Sequence, residues 1–480
     1  MGMGTYWRAS MLFLTFAAFL SGTWSQTEAR NLTDVLIGGF SFNAAGQDTT
    51  AAARAIAPAV ATAVAETVVR EFPLASVAPA FTYRYNPTLN VFERSTGVPG
   101  PLFSERALTL GEGQFNFSVG YSFLDFSDLN GSSLDNIRSP ALLSQILYSE
   151  GVPLGQLTTG EPVFLAPVTA SRIRTRIDLK AHVIVPTLRY GLTEWWDVSL
   201  SVPIVNTSLR VRNEDVPVAD LDFTQAGFLF ARLSGDQIGN LGFADREGKE
   251  LTQSRQLPFL KSRRSASSLA RAAGSATGVG DIVLRTKYHL WRTEAGGAAV
   301  GLNLQLPSGK VRNLHGTNET HLSTFVYLSQ VIGERVEPHV NLGVDFNTDD
   351  IDRSSFLYTV GATLLVGTKV GLMVDVIGRS EFGRFPVRVP SNGIYPGRLL
   401  DRPVKTCTAA RPCFLDFSTP PIMFPFFPAK IRRNDVVNFS FGLRYALGTS
   451  GSAFFGAVIP LNDDGLRADF IPSGGIEYTF

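Results

Sequence analysis

Residues 172–182 read RIRTRIDLKAH, and a titratable group recurs at every second position. Arg172, Arg174, Arg176, Asp178, Lys180 and His182 share one parity, while Ile173, Thr175, Ile177, Leu179, Ala181 and Val183 share the other. At period two this is one strand with a charged face and an apolar face. Guanidinium groups spaced along a wall can select or guide anions, as charged rings do in pores. The same groups could instead close an internal ion-pair lattice with Asp178, Glu337, Asp345 and Asp375. An arginine held on lipid at mid-bilayer costs about 2–4 kcal/mol. If the apolar face meets lipid, that energy turns the ladder inward. By the same reasoning Arg285, Lys287 and His289 are assigned inward, with Glu337, His339, Asp345, Asp375, Arg379 and Arg444.

The elements that must position these residues are further strands of the same kind. From Gly113 onward the chain alternates, beginning with Phe115, Phe117, Val119, Tyr121 and Phe123 against Asn116, Ser118, Gly120 and Ser122. Later strands are expected near 196–208, 279–291, 298–307, 320–331, 336–347, 355–366, 370–380, 434–446, 452–460 and 467–480. Short turns such as YGLTEWW, RTEAGG and VGTK alternate with long links at 127–170, 209–278, 308–319, 348–354, 381–433 and 461–466. Tight turns at one end and long loops at the other are the pattern of a transmembrane barrel. Trp195, Trp196 and Trp291 fall at the short turns, where amphipathic rings favour the membrane interface. The predicted fold is all-β: a transmembrane antiparallel β-barrel of 12 strands, or 14 if a hairpin near 80–95 joins the wall. The competing reading is a soluble β-sandwich, which alternates too but does not explain the turn pattern.

Residues 1–25 read as a secretory signal, with Arg8 before an apolar run from Met11 to Leu20. That run is too short to span a bilayer, which needs about 20 residues. Residues 26–112 form a separate N-terminal segment, expected to plug the lumen or lie on the periplasmic side; 113–480 form the barrel. Within the segment, Ile56, Val60, Val64 and Val68 mark a short amphipathic helix with Pro58 in its first turn. The formal charge of +1 argues against nucleic acid as a partner. Cys407 and Cys413 are expected to pair in an exported protein. Phe424, Phe426 and Phe427 could make a landing site for apolar solutes at the outer mouth, or fold onto the rim. Lys261, Arg263, Arg264 and Arg271 are placed in a large outer loop, where contact with anionic lipopolysaccharide is an electrostatic option. The stretch DFNTDDID lacks the glycine and final glutamate of a calcium loop, so no metal and no cofactor are assigned. Enzyme motifs are absent from the sequence, and no Ser–His pairing follows from spacing.

The stretch GVGDIVLRTKYHLW followed by GLNLQLPSGK resembles strand motifs of the outer-membrane family named for the MetA pathway of phenol degradation. Residues 81–126 also resemble an N-terminal block of related bacterial outer-membrane proteins. The resemblance implies a transporter, distantly like the fatty-acid and aromatic-hydrocarbon channels. The ending GGIEYTF resembles the sorting signal read by the barrel-assembly machinery, through Gly475, Tyr478 and Phe480. The expected function is passive uptake of small hydrophobic or aromatic solutes across the bacterial outer membrane. A general or anion-selective porin, and a closed structural barrel, are the alternatives.

Overall fold

The computed structural model describes residues 31–71 (apart from 45, 46 and 49), 79–129 (apart from 87–90 and 95), 131–138, 162–166, 169–221, 228–234, 237–244, 266–383 (apart from 294) and 435–480, with two-residue strand pieces at 142–143, 147–148, 250–251, 260–261, 398–399 and 415–416. Twelve antiparallel wall strands close into a barrel. They are β1 (Phe115–Leu129), β2 (Thr169–Thr193), β3 (Trp196–Ser201 and Ile204–Leu221) and β4 (Ser267–Val279 and Ile282–Thr293). Next come β5 (Gly296–Leu306), β6 (His321–Gln330), β7 (Val336–Asn347) and β8 (Ser355–Val366). The wall ends with β9 (Val370–Glu381), β10 (Val436–Leu447), β11 (Gly451–Pro460) and β12 (Leu466–Ala468 and Ile471–Thr479). β12 pairs with β1, and Phe480 exchanges backbone hydrogen bonds with Phe115 at 2.8 and 3.2 Å, so the sheet has no free edge at its seam.

The exterior is apolar over a continuous band. Phe115, Tyr121, Ile184, Leu284, Tyr288, Leu302, Leu342, Val374, Leu443, Ile476 and Tyr478 are all exposed, and they alternate with buried polar residues along their strands. A soluble sheet would bury these side chains; a barrel solvated by lipid exposes them. Trp195, Trp196 and Trp291 are exposed at the short-turn end. No helix among the described residues is long and apolar enough to cross a membrane. The strands make this a membrane-spanning barrel of the outer-membrane type.

The expected strand count holds, and two features differ from the sequence expectation. The hairpin of Tyr83–Asn86 and Val91–Arg94 forms its own two-stranded sheet, so the wall has twelve strands and not fourteen. β3 and β4 extend well into what reads as one loop at 209–278, pairing residue by residue from Ile204↔Val279 to Asp215↔Ser267. Segments of the three longest loops also build a second, seven-stranded sheet.

Two helices precede the barrel, α1 (Leu32–Phe40) and α2 (Thr50–Glu71). Only one helix is legible in the sequence, and its Pro58 lies in the interior of α2 rather than its first turn. The buried stripe of α2 is Ala53, Ala57, Ala61, Ala65 and Val68; Val60 and Val64 are only partly buried. Alanines let the helix backbone approach its neighbours closely. α1 packs on β3 and β4, and α2 on α1, on the turn Val311–Asn313 and on β12; together they share one apolar core with the inward Ile173, Leu179, Ala181, Val183, Leu209 and Val211. Gly39 sits so close to Val211 that a Cβ there would lie 2.5 Å from it.

Candidate functional site

The lumen has two levels. The level towards the long loops is the apolar one just described, capped by Asn213, whose amide donates to the Gly39 carbonyl at 2.6 Å. The level towards the short turns is polar and holds residues 96–113. This segment has almost no regular structure, so its backbone polar groups need partners from the wall.

The wall supplies them. Glu105 accepts from Arg189 at 3.0 Å and from Lys287 at 3.3 Å. Lys287 also donates to the carbonyls of Arg106 and Leu108 at 3.2 and 2.8 Å. Asp197 accepts from the Leu110 amide at 2.9 Å, and Ser329 from the Ala107 amide at 2.9 Å. Arg106 pairs with Glu337, both fully buried. Arg444 bridges Glu477 at 3.3 Å and the Pro101 carbonyl at 3.1 Å, while Glu477 accepts from the Ala80 amide at 2.6 Å. Burial by itself would raise the Glu105 carboxyl, but the Arg189, Lys287 and Arg285 charges outweigh it and hold the group below the usual carboxylate range.

Ser104, His339 and Asp375 meet in the same layer. The Ser104 hydroxyl lies 2.8 Å from His339 Nε2 and donates to Asp375 Oδ1 at 3.0 Å, while Nε2 is itself 2.6 Å from that oxygen. In a hydrolase triad the serine and the carboxylate occupy opposite ring nitrogens. Here both crowd one nitrogen, and His339 and Asp375 are buried. The arrangement anchors the segment; it is not a nucleophile and its base.

Of the residues assigned inward from sequence, Arg285, Lys287, His289, Glu337, His339, Asp345, Asp375, Arg379 and Arg444 do line the interior. Asp345 bonds His321 at 2.9 Å and Ser323 at 2.7 Å. The ladder on β2 is reversed. Arg174, Arg176, Asp178, Lys180 and His182 lie on the outer surface, and Ile173, Leu179, Ala181 and Val183 face in. The side chain of Arg172 lies outside the described residues, as do those of Lys261, Arg263 and Arg264. The physical reason is strand length. A spanning strand needs about 9–11 residues, and β2 has 25. Only its lower part meets lipid, with Ile184, Leu188 and Tyr190 outward and Thr187 and Arg189 inward. Higher up the exterior is aqueous, so charge is tolerated there and the lipid argument has no force.

The sequence reading missed Ser104, Glu105, Arg106, Arg189, Asp197 and Glu477. Arg189 was accessible: it shares the odd parity of Ile173 to Val185, and a residue within the lipid span outranks those above it. Arg271 is exposed on β4, not in a loop. Phe424, Phe426 and Phe427, with Cys407 and Cys413, fall outside the described residues. Tyr478 and Phe480 point outward on the closing strand, and a Cβ at Gly475 would meet the Val119 carbonyl at 2.2 Å.

A closed barrel with an apolar exterior belt and a polar lumen at the level of that belt belongs to the class of outer-membrane β-barrels. Within that class, residues 218–379, roughly a third of the chain, match the family described as "Putative MetA-pathway of phenol degradation". This is the family that the strand motifs resemble. No curated protein matches the chain. Among solved structures, an outer membrane channel from Pseudomonas putida F1 aligns over 78% of this chain and 98% of its own, at 12% identity and a TM-score of 0.38. A FadL homologue from Pseudomonas aeruginosa aligns over 77% of this chain and 89% of its own, at 8% identity and 0.28. The toluene transporter TodX of Pseudomonas putida aligns over 76% and 89%, at 10% identity and 0.27. Similarity at this level is low, and the barrel rests on its own strand pairing.

Proposed function

We propose that this protein is an outer-membrane channel for passive uptake of small hydrophobic or aromatic solutes, with residues 31–112 acting as an internal plug. The observation that carries the reading is the polar layer at residues 96–113. A barrel whose role is only structural can fill its lumen with wall side chains. This one presents inward Arg189, Lys287, Glu337 and Arg444 to a separate, irregular segment that could be withdrawn without breaking the wall. The family description supports an aromatic cargo. The outer surroundings on this reading are lipid at the belt and lipopolysaccharide above it, and β12 with Gly475, Tyr478 and Phe480 is the segment presented to the barrel-assembly machinery.

An anion-selective pore built on the Arg172–Arg176 ladder is no longer supported, because Arg174 and Arg176 lie on the outer surface. The test is uptake. Cells with and without the gene are compared for growth on a limiting aromatic carbon source, and for entry of a radiolabelled phenol. Faster entry with the gene is the expected result; equal rates over a range of low concentrations would remove the cargo assignment.

A further inference from the structure

On the outer surface of β2, β3 and β4, Arg176, Arg212 and Arg271 stand side by side in one row. Arg176 pairs with Arg212 across β2–β3, and Arg212 pairs with Arg271 across β3–β4. Like charges directly opposite one another on neighbouring strands destabilise a sheet. One carboxylate, Glu214, relieves this in part: its charge acts on Arg176 and Arg212, but it is shared with Arg174. Glu214 bonds Arg174 and reaches Arg176 at 3.9 Å. Arg212 has a buried Nε with no hydrogen-bond partner, and neither it nor Arg271 forms an ion pair among the described residues. Beside the row lies a cleft of about 520 Å³ lined by Arg176, Lys180, Arg210 and Arg212, with Asp125, Asp135, Asp178 and Asp469 also on its walls.

The row has a defined height. Ile184, Ile204 and Val279 are in register across the same strands and form the top of the apolar belt there. Eight residues at ~3.3 Å each lift the row about 26 Å along the strands. At a barrel tilt of about 40° that is roughly 20 Å above the belt. This is beyond the acyl chains and within the sugar layer of the outer leaflet.

We propose that the Arg176–Arg212–Arg271 row is a docking site for the phosphate groups of outer-leaflet lipopolysaccharide. Phosphate oxygens match the guanidinium fork and neutralise three adjacent cations at once. A lipid-borne phosphate is favoured over a free one because the row stands on the outer wall above the lipid belt, at the height of the sugars that the outer-leaflet lipid carries. The inference rests on the outer-membrane reading of the exterior and is independent of the plug.

The experiment uses the full chain, purified into lipopolysaccharide-free detergent and folded as judged by compact, heat-modifiable gel migration. Three probes are titrated: phosphorylated rough lipopolysaccharide, the same lipid with its phosphates removed, and inorganic phosphate. Binding is read by native mass spectrometry, and stability by the temperature at which compact migration is lost. The phosphorylated lipid is expected to bind and to raise that temperature by several degrees. The Arg176→Gln/Arg212→Gln/Arg271→Gln variant should lose about tenfold or more in affinity. Without lipid, it should be as heat-stable as the parent or more so, an outcome that a merely structural role for the arginines would reverse. Arg271→Gln alone, at an exposed position, should lose about threefold and serves if the triple variant does not fold. Equal binding to parent and variants, equal binding of the dephosphorylated lipid, or full protection by inorganic phosphate alone overturns the proposal. A folded barrel indifferent to lipopolysaccharide sinks this site only. A chain that stays soluble without detergent sinks the membrane reading as well.

Discussion

Below Ile184, β2 has an apolar exterior and carries Thr187 and Arg189 on its lumen side; above Ile184 the pattern inverts, with Ala181, Leu179 and Ile173 inside and Lys180, Asp178 and Arg176 outside. One strand with one parity therefore crosses two solvents. In the lower half lipid dictates the exterior, and the lumen is left polar for an ion-paired segment. In the upper half water surrounds the wall, and the helices α1 and α2 demand apolar contacts from within. The hydrophobic pattern of a strand reports which side is dry, and in a barrel that side changes with height.

The largest effect should come from breaking the lower lumen. Arg444→Ala leaves Glu477 buried with its partner removed, and such losses cost about 3–5 kcal/mol. The expected result is a marked fall in the temperature at which folded migration is lost. Next, Leu188→Arg places a cation on the lipid face of β2 and should cost up to about 2–4 kcal/mol, measured by unfolding from lipid vesicles. In the upper half the critical face is the inner one: Leu179→Ala should cost about 2–5 kcal/mol by opening a void beneath the helices. The smallest effect belongs to the upper exterior. Arg174→Gln should change stability by about 1 kcal/mol or less, as partly exposed ion pairs do, and should leave ion selectivity unaltered. A large selectivity change from Arg174→Gln would restore the ladder to the lumen and break the comparison.

Strands such as β7, β8 and β9 are legible because their spans of 12 residues lie close to what the bilayer needs, so alternation and lipid cost agree. β2 reads with the opposite facing because six titratable positions above the membrane outnumber Arg189 within it. Residues 104–106 carry no periodicity at all; Ser104, Glu105 and Arg106 acquire meaning only when β2, β4, β7 and β9 bring Arg189, Lys287, Glu337 and Asp375 around them. The alanine stripe of α2 was hidden for a related reason, since the sequence pattern favours the larger valines while close packing selected the smaller residues.

Acid offers a way to sharpen the account of the plug. The folded value of Glu105 lies below its ordinary 4.5. Its pairing therefore contributes fully above that value and is lost only as pH falls through the lowered one. Conductance gated by this contact should stay low at neutral and mildly acidic pH and rise only in stronger acid.

The most direct test is single-channel conductance in planar bilayers at pH 7, comparing the parent with a Glu105→Gln/Glu337→Gln variant that retains folded gel migration. If the buried ion pairs hold the segment in the lumen, the parent is nearly silent and the variant conducts in long openings. A parent that conducts freely, or a folded variant as silent as its parent, would contradict the claim that these pairs close the barrel.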